Sequence, residues 1–229
     1  MDARYARNLP ALSAEECALL QTKKVLIVGC GGIGGHLIDL LARIGVGHMR
    51  LVDGDVFEAT NLNRQLLCEQ SLLGSSKAQA AEDRVKRIND TIVVETVAQP
   101  MTSENVNALL GECDVVLDAL DSIESRRILA KAASQAGIPY VYGAINGWVA
   151  QAAIILPEEN TIALLYPPTA KLTDKSVLSF TPACCASMQA SLCVKLLVGR
   201  PYQSRVLYYA DLLNMEFETI PLALQDSAQ

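Results

Sequence analysis

The stretch Lys24–Asp55, KVLIVGCGGIGGHLIDLLARIGVGHMRLVDGD, sets out a βαβ unit. KVLIVG is a short apolar run, rich in β-branched residues and closed by glycine, and reads as a buried strand. GGHLIDLLARIG then carries Leu37, Leu40, Leu41 and Ile44 on one helical face, with Gly45 as its stop. HMRLVD is a second strand, ending on Asp53 about 20 residues beyond the glycines, where a ribose-binding acid belongs. Gly29, Gly31 and Gly34 have the spacing of a dinucleotide-binding loop. Such a turn lets backbone N–H groups approach phosphates and points a helix N-terminus at them. NAD and ATP both carry ribose and phosphates, so the loop alone leaves the nucleotide open.

Working outward, strands and helices keep alternating. SSKAQAAEDRVKRIN is a helix capped by Ser75 or Ser76, with Ala78, Ala81, Val85 and Ile88 at helical spacing. IVVETVAQ is a strand, NVNALLG a short helix, DVVLDAL a strand, ESRRILAKAASQAG a helix and PYVYGAI a strand. From Trp148 the pattern changes. WVAQAAIILP and TIALLY read as an antiparallel hairpin, and PPTAKLTDKSVLS as a mobile connection. TPACCASMQASLCVKLLVGRP is a helix with Thr181 as N-cap, Pro182 at the first helical position and Gly199 as its stop. RVLYYADLLNMEFETIPL closes with one or two strands. The expectation is an α/β fold: a doubly wound, mostly parallel, Rossmann-like sheet extended by antiparallel C-terminal strands. It is expected to form one domain over 1–229, with an N-terminal arm (1–22), a nucleotide-binding core (23–147) and an antiparallel part (148–229).

Composition sets the class. Of 229 residues, 51% are apolar, enough for a substantial core, while aromatics are only 5%, so Ala, Val, Leu and Ile fill it. The net charge of −6 and the lack of a basic run argue against nucleic acid as a partner. No apolar run reaches the roughly 20 residues of a membrane span, and the first residues have no signal-peptide core. Seven scattered cysteines without a C-x-x-C pair indicate reduced thiols in the cytoplasm and no structural zinc.

The segment after the second strand separates the nucleotides. VDGDVFEATNLNRQLL places Asp53, Asp55, Asn61, Asn63, Arg64 and Gln65 just beyond the ribose position, and Lys77 opens the next helix. Hydride transfer has no evident use for an Arg/Lys pair beside phosphates. Phosphoryl or adenylyl transfer needs such cations to stabilise developing charge, and a carboxylate for Mg²⁺, for which Asp121 at the end of the fourth strand is placed.

Here the chain resembles the ThiF/MoeB/HesA adenylating enzymes, relatives of the ubiquitin-activating enzymes. RYARNL, VLIVGCGGIGG, LVDGDVFEATNLNRQLL, GSSKAQAAEDRVKRIN, VVLDALDSIESR and SMQASLCVKLLVG carry the likeness in the family's order over nearly the whole chain. The resemblance implies an ATP-dependent adenylyltransferase that activates a C-terminal carboxylate, releasing pyrophosphate. Its implied substrate is the Gly-Gly tail of a small ubiquitin-like sulfur carrier protein of thiamine or molybdopterin type. It would put Gly31, Gly32 and Gly34 under the phosphates and Asp53 on the ribose. Asn61, Arg64 and Lys77 would contact the phosphates, Gln65 is the next motif position, and Asp55 is a loop-positioning candidate. ATP and Mg²⁺ are the implied cofactors, with Asp121 on the metal. Arg7, the second arginine of RYAR, matches one that reaches the partner's site in the family's homodimers.

Departures from the family pattern are also legible. The zinc-binding C-x-x-C pairs are missing, the usual Thr-Asp-Asn is Leu120-Asp121-Ser122, and Tyr166 to Ser179 holds no cysteine. Cys184 and Cys185 instead fall in the first turn of the late helix, where a helix N-terminus would lower a thiol's pKa, making Cys184 a candidate nucleophile. Competing readings are adenylation of a tRNA-base or small-metabolite carboxylate, an NAD-dependent oxidoreductase, and a non-catalytic binding module on the same fold.

Overall fold

The computed structural model describes residues 2–170 and 176–222. Strands β1 (Lys24–Val28), β2 (His48–Val52), β3 (Val93–Val97), β4 (Val115–Asp118), β5 (Tyr140–Asn146), β6 (Val149–Ile155), β7 (Val206–Asp211) and β8 (Glu216–Pro221) form one sheet. Its order is β3-β2-β1-β4-β5-β6-β7-β8. The first five strands run parallel and the last three add antiparallel. The strand order reverses between β1 and β4, and ligands of open α/β sheets bind beyond the strand ends at such a switch point.

Helices cover both faces. On one lie α1 (Ala14–Leu20), α2 (Gly32–Ile44), α3 (Lys77–Ile88) and α7 (Phe180–Val198). On the other lie α4 (Val106–Leu110), α5 (Ile123–Gln135) and α6 (Thr161–Leu165). β1 is therefore apolar on both faces: Val25 and Ile27 enter one core, Leu26 and Val28 the other. α2 and α3 begin at the C-terminal ends of β1 and the segment after β2, so both present their N-termini to the switch point. Ser76 caps α3, accepting from the Gln79 N–H.

TIALLY is not a strand. Thr161–Leu165 is the short helix α6, and the antiparallel partner of β6 is β5, joined to it by a tight turn at Gly147 (φ 54°) and Trp148. β6 already has β5 and β7 on its two edges, so no ladder is left for 161–166. Its apolar residues Ile162 and Leu165 bury against the α5 side of the sheet instead. α7 also starts earlier than its sequence suggests. Phe180 is its first residue after Ser179, so Thr181 is inside the helix, where its hydroxyl donates to the Gly147 carbonyl, and Pro182 is the third helical residue. Residues 171–175 of the connection expected to be mobile lie outside the described residues. By length and apolarity α7 could cross a bilayer, yet its buried face packs on α2, β5 and β6 at the centre of the fold.

Candidate active site

Four glycines form the loop, and their roles differ. A Cβ on Gly34 would lie 1.9 Å from the Gly29 carbonyl oxygen, and Gly29 (φ 97°) abuts the Ala119 carbonyl. These two are glycine because the fold leaves no room. A Cβ on Gly31 or Gly32 would meet only ordinary contacts, 3.5 Å from the Gln65 amide and from the Pro182 ring. The protein itself does not forbid side chains there, so the bare backbone at Gly31 and Gly32 is a cradle that a side chain would fill. A nucleotide phosphate needs that space.

The segment 58–65 closes over this cradle. Asn61 is buried and its Oδ1 accepts from the Glu58 N–H, so it shapes the loop from inside. That fold brings the Arg64 Cγ to 3.8 Å from where a Gly32 Cβ would sit and the Gln65 amide against Gly31. Arg64 Nη1 donates to the Thr60 carbonyl (2.8 Å) and the Asn63 side chain (2.9 Å), both neutral, and no anion among the described residues pairs with it. Buried Gln65 Oε1 has no hydrogen-bond partner among the described residues, an orphan next to the cradle. Pro182 brings the start of α7 to the start of α2, so two helix N-termini, each with partial positive charge, converge here.

Asp53 directly follows β2 and accepts from the Cys30 N–H (2.7 Å) and the Asp55 N–H (2.8 Å). Burial pushes its carboxyl above the usual range, against those two donors and the nearby Lys77. Lys77, the first residue of α3, gives its ammonium to Asp55 Oδ2 at 2.9 Å. Asp121 is exposed, two residues past Ala119, the residue that walls Gly29 and Gly34. Gly31, Gly32 and Gly34 follow β1, Asp53 and Asp55 follow β2, Asn61, Arg64 and Gln65 lie on the 58–65 segment, Lys77 opens α3 and Asp121 follows β4, so all stand beyond the C-terminal ends of the parallel strands.

Arg7 does not. It is exposed on a 3₁₀ turn (Ala3–Asn8) docked by Tyr5 on Gly45 and by Asn8 on the Ile44 carbonyl, at the far end of α2. The 13 residues of α2 put about 20 Å between that end and the loop. Cys184 and Cys185 lie in the second turn of α7, and burial raises both thiols, Cys185 to about 12. Both sit one turn inside the helix, and burial works against the lowering expected from its N-terminus. Among the described residues no cluster of three or more His, Cys, Asp and Glu could hold a metal unaided.

One constellation escapes sequence reasoning. Asp118, fully buried at the end of β4, is paired with buried Arg126 of α5 and accepts from the Tyr140 hydroxyl at 2.6 Å. Gln189 of α7 donates to the carbonyls of Asp118 (2.8 Å) and Val141 (3.1 Å), a reach that requires glycine at 143. An aspartate ending the apolar run VVLD was the available signal, because a buried charge needs a partner.

The chain is similar to known proteins over most of its length. The SAMP-activating enzyme E1 of Haloferax volcanii is 33% identical over 228 residues, covering 95% of this chain and 84% of its own length. The sulfur carrier protein adenylyltransferase of Thermus thermophilus is 30% identical, covering 95% of this chain and 86% of its own. Of two longer relatives the chain spans 60% and 47%. A crystal structure of E. coli MccB with ATP has the same fold, with TM-score 0.83 at 21% identity over 100% of this chain and 73% of MccB. The ThiF family model matches residues 5–229, nearly the whole sequence, and the chain belongs to the ThiF family.

Proposed function

We propose that the chain is an ATP-dependent adenylyltransferase that activates the C-terminal carboxylate of a small ubiquitin-like sulfur carrier ending in Gly-Gly. The observation that carries this reading is the bare backbone at Gly31 and Gly32, where a Cβ would meet only ordinary contacts, with Arg64 against it and paired with no anion among the described residues. The names of the Haloferax and Thermus relatives support the carrier as substrate class. A hydride transferase would have no use for Arg64 and Lys77 at this position.

In the reaction a carboxylate oxygen attacks the α-phosphorus of ATP, the bond to the bridging β-phosphate oxygen breaks, and pyrophosphate departs. Backbone N–H groups of 31–34 and the starts of α2 and α7 bind the phosphates. Arg64 and Lys77 stabilise the charge that develops on the phosphoryl oxygens and the leaving pyrophosphate; such fixed charges in a preorganised site contribute most of the rate. Lys77 exchanges Asp55 for phosphate oxygens, and Asp53 accepts from the ribose. Mg²⁺, arriving with the nucleotide and held by Asp121, would neutralise phosphate charge. In the homodimer that belongs to this reading, Arg7 serves the partner's site, since it is a helix length from its own. One continuous sheet joins residues 23–147 to 148–222, which favours a single adenylation domain. Free thiols throughout the described cysteines suit a cytoplasmic protein.

The test is ATP–pyrophosphate exchange with and without a carrier ending in Gly-Gly. Exchange that requires the carrier supports the reading; none with any C-terminal carboxylate, with ATP bound, sinks it.

A further inference from the structure

Arg126 is a buried cation that the adenylation chemistry does not use, and its contacts radiate in three directions. Its guanidinium pairs with Asp118, donates to the Gly143 carbonyl of β5 (2.6 Å), and donates to the Leu120 carbonyl, one residue before Asp121. Its Cζ also lies over two rings, 5.3 Å from the centroid of Tyr142 and 5.9 Å from that of Tyr166. The two tyrosine hydroxyls share a hydrogen bond of 2.8 Å, and the rings meet edge to face. Next along α5, Arg127 Nη2 donates to the carbonyls of Tyr166 (3.0 Å) and Pro167 (3.1 Å). Tyr166 and Pro167 follow α6, and Pro182, in the first turn of α7, lies against Gly32.

Arg126 thus holds the Leu120 carbonyl directly and meets Tyr166 through its ring face, while its neighbour Arg127 holds the Tyr166 and Pro167 carbonyls. The Tyr166 ring packs against the α5 side of the core and also lines a cavity of about 580 Å³ between α5 and the β6–α6 segment, with its hydroxyl and carbonyl held by polar contacts. Lysine could not substitute. Its one ammonium cannot reach carboxylate and carbonyl acceptors on separate segments as a planar fork does.

We propose that Arg126 is a positioning residue that locks the Leu120–Asp121 turn and the Tyr166–Pro167 start of the crossover into one mutual register. The role rests on the adenylation reading for its kinetic consequence, though not for its geometry. A guanidinium that holds both walls lets the carboxylate tail and the α-phosphate meet at a fixed spacing, and a misplacement of about 1 Å there costs about a hundredfold in rate.

Two variants of the full chain test it, with two readouts each. Arg126→Lys is expected to lower the exchange kcat about a hundredfold per folded molecule. Tyr166→Phe, which removes one hydroxyl contact at the far end, is expected to raise KM for a Gly-Gly carrier about fivefold while the ATP Kd stays put. Kinetic constants of both variants equal to the parent's, with only Tm lowered, would make Arg126 merely structural and overturn the proposal. Amide hydrogen exchange gives an answer independent of turnover. Arg126→Lys should accelerate exchange at both Leu120 and Tyr166, whose N–H groups are bonded to Asp118 and Ile162, and acceleration at one alone contradicts the shared anchor. A parent with no pyrophosphate exchange would defeat the adenylation reading, while the amide pattern would still decide the anchor.

Discussion

The Lys77 ammonium lies 2.9 Å from Asp55 Oδ2, and the pair is lopsided: the lysine side chain is 10% exposed and the aspartate 74%. The lysine is fixed in the fold, also by its N–H to the Asp55 carbonyl, while its counter-ion hangs at the surface. This suits a cation that trades one anion for another. Lys77→Ala is expected to cut pyrophosphate exchange by about 10²–10³. Asp55→Asn is expected to lower stability by about 1–3 kcal/mol, because it leaves a largely buried ammonium without its charged partner. Denaturant melts and exchange rates of the two variants check both statements, and a Lys77→Ala enzyme with parental exchange would remove the lysine from the site.

The four loop glycines should separate into two classes. Gly34→Ala is expected not to fold, its Cβ colliding with the Gly29 carbonyl. Gly31→Ala and Gly32→Ala are expected to fold with near-parental Tm and to lose ATP binding, since their methyl groups occupy the cradle. Calorimetric ATP titration and a thermal melt on each variant distinguish the classes.

Asp118→Asn leaves the Arg126 charge buried without its counter-ion. Breaking one side of such a pair costs about 3–5 kcal/mol, and urea unfolding should show a loss of that order. A loss under 1 kcal/mol would mean that the carbonyls of Leu120 and Gly143 suffice to hold the guanidinium.

Thiol ionisation should dominate the alkaline limb of stability. Burial raises Cys113 to about 11 and Cys185 to about 12, above the ordinary value of 9.0. A raised folded pKa adds stability that is complete below pH 9 and is lost as pH climbs toward 11 and 12, because the unfolded thiols ionise first. Each such thiol steepens the fall by about 1.4 kcal/mol per pH unit in that window. Unfolding free energies measured from pH 8 to 11 check the slope, and Cys185→Ala should flatten it. Neutral thiols also predict slow alkylation of Cys184 at pH 7 and undiminished exchange in Cys184→Ala.

What the sequence made legible was local. The glycine loop, the capped α3 and the NLNRQ segment are runs whose neighbours in sequence are neighbours in space, so periodicity and spacing sufficed. TIALLY failed because five or six apolar residues fit a strand or a buried helical turn equally, and only the occupied edges of β6 decide between them. The start of α7 was misplaced because Thr181 mimics an N-cap while its hydroxyl serves Gly147, 34 residues away in sequence. Gln189 and Asp118 are 71 residues apart, and nothing in either neighbourhood announces the other.

The central claim is that the glycine loop beside Arg64 binds ATP to be split for a carboxylate. Carrier-dependent ATP–pyrophosphate exchange by the parent and by Arg64→Ala tests it most directly. The account predicts exchange that needs a Gly-Gly carrier and falls at least a hundredfold in Arg64→Ala at parental Tm. Equal exchange by the two proteins would contradict it.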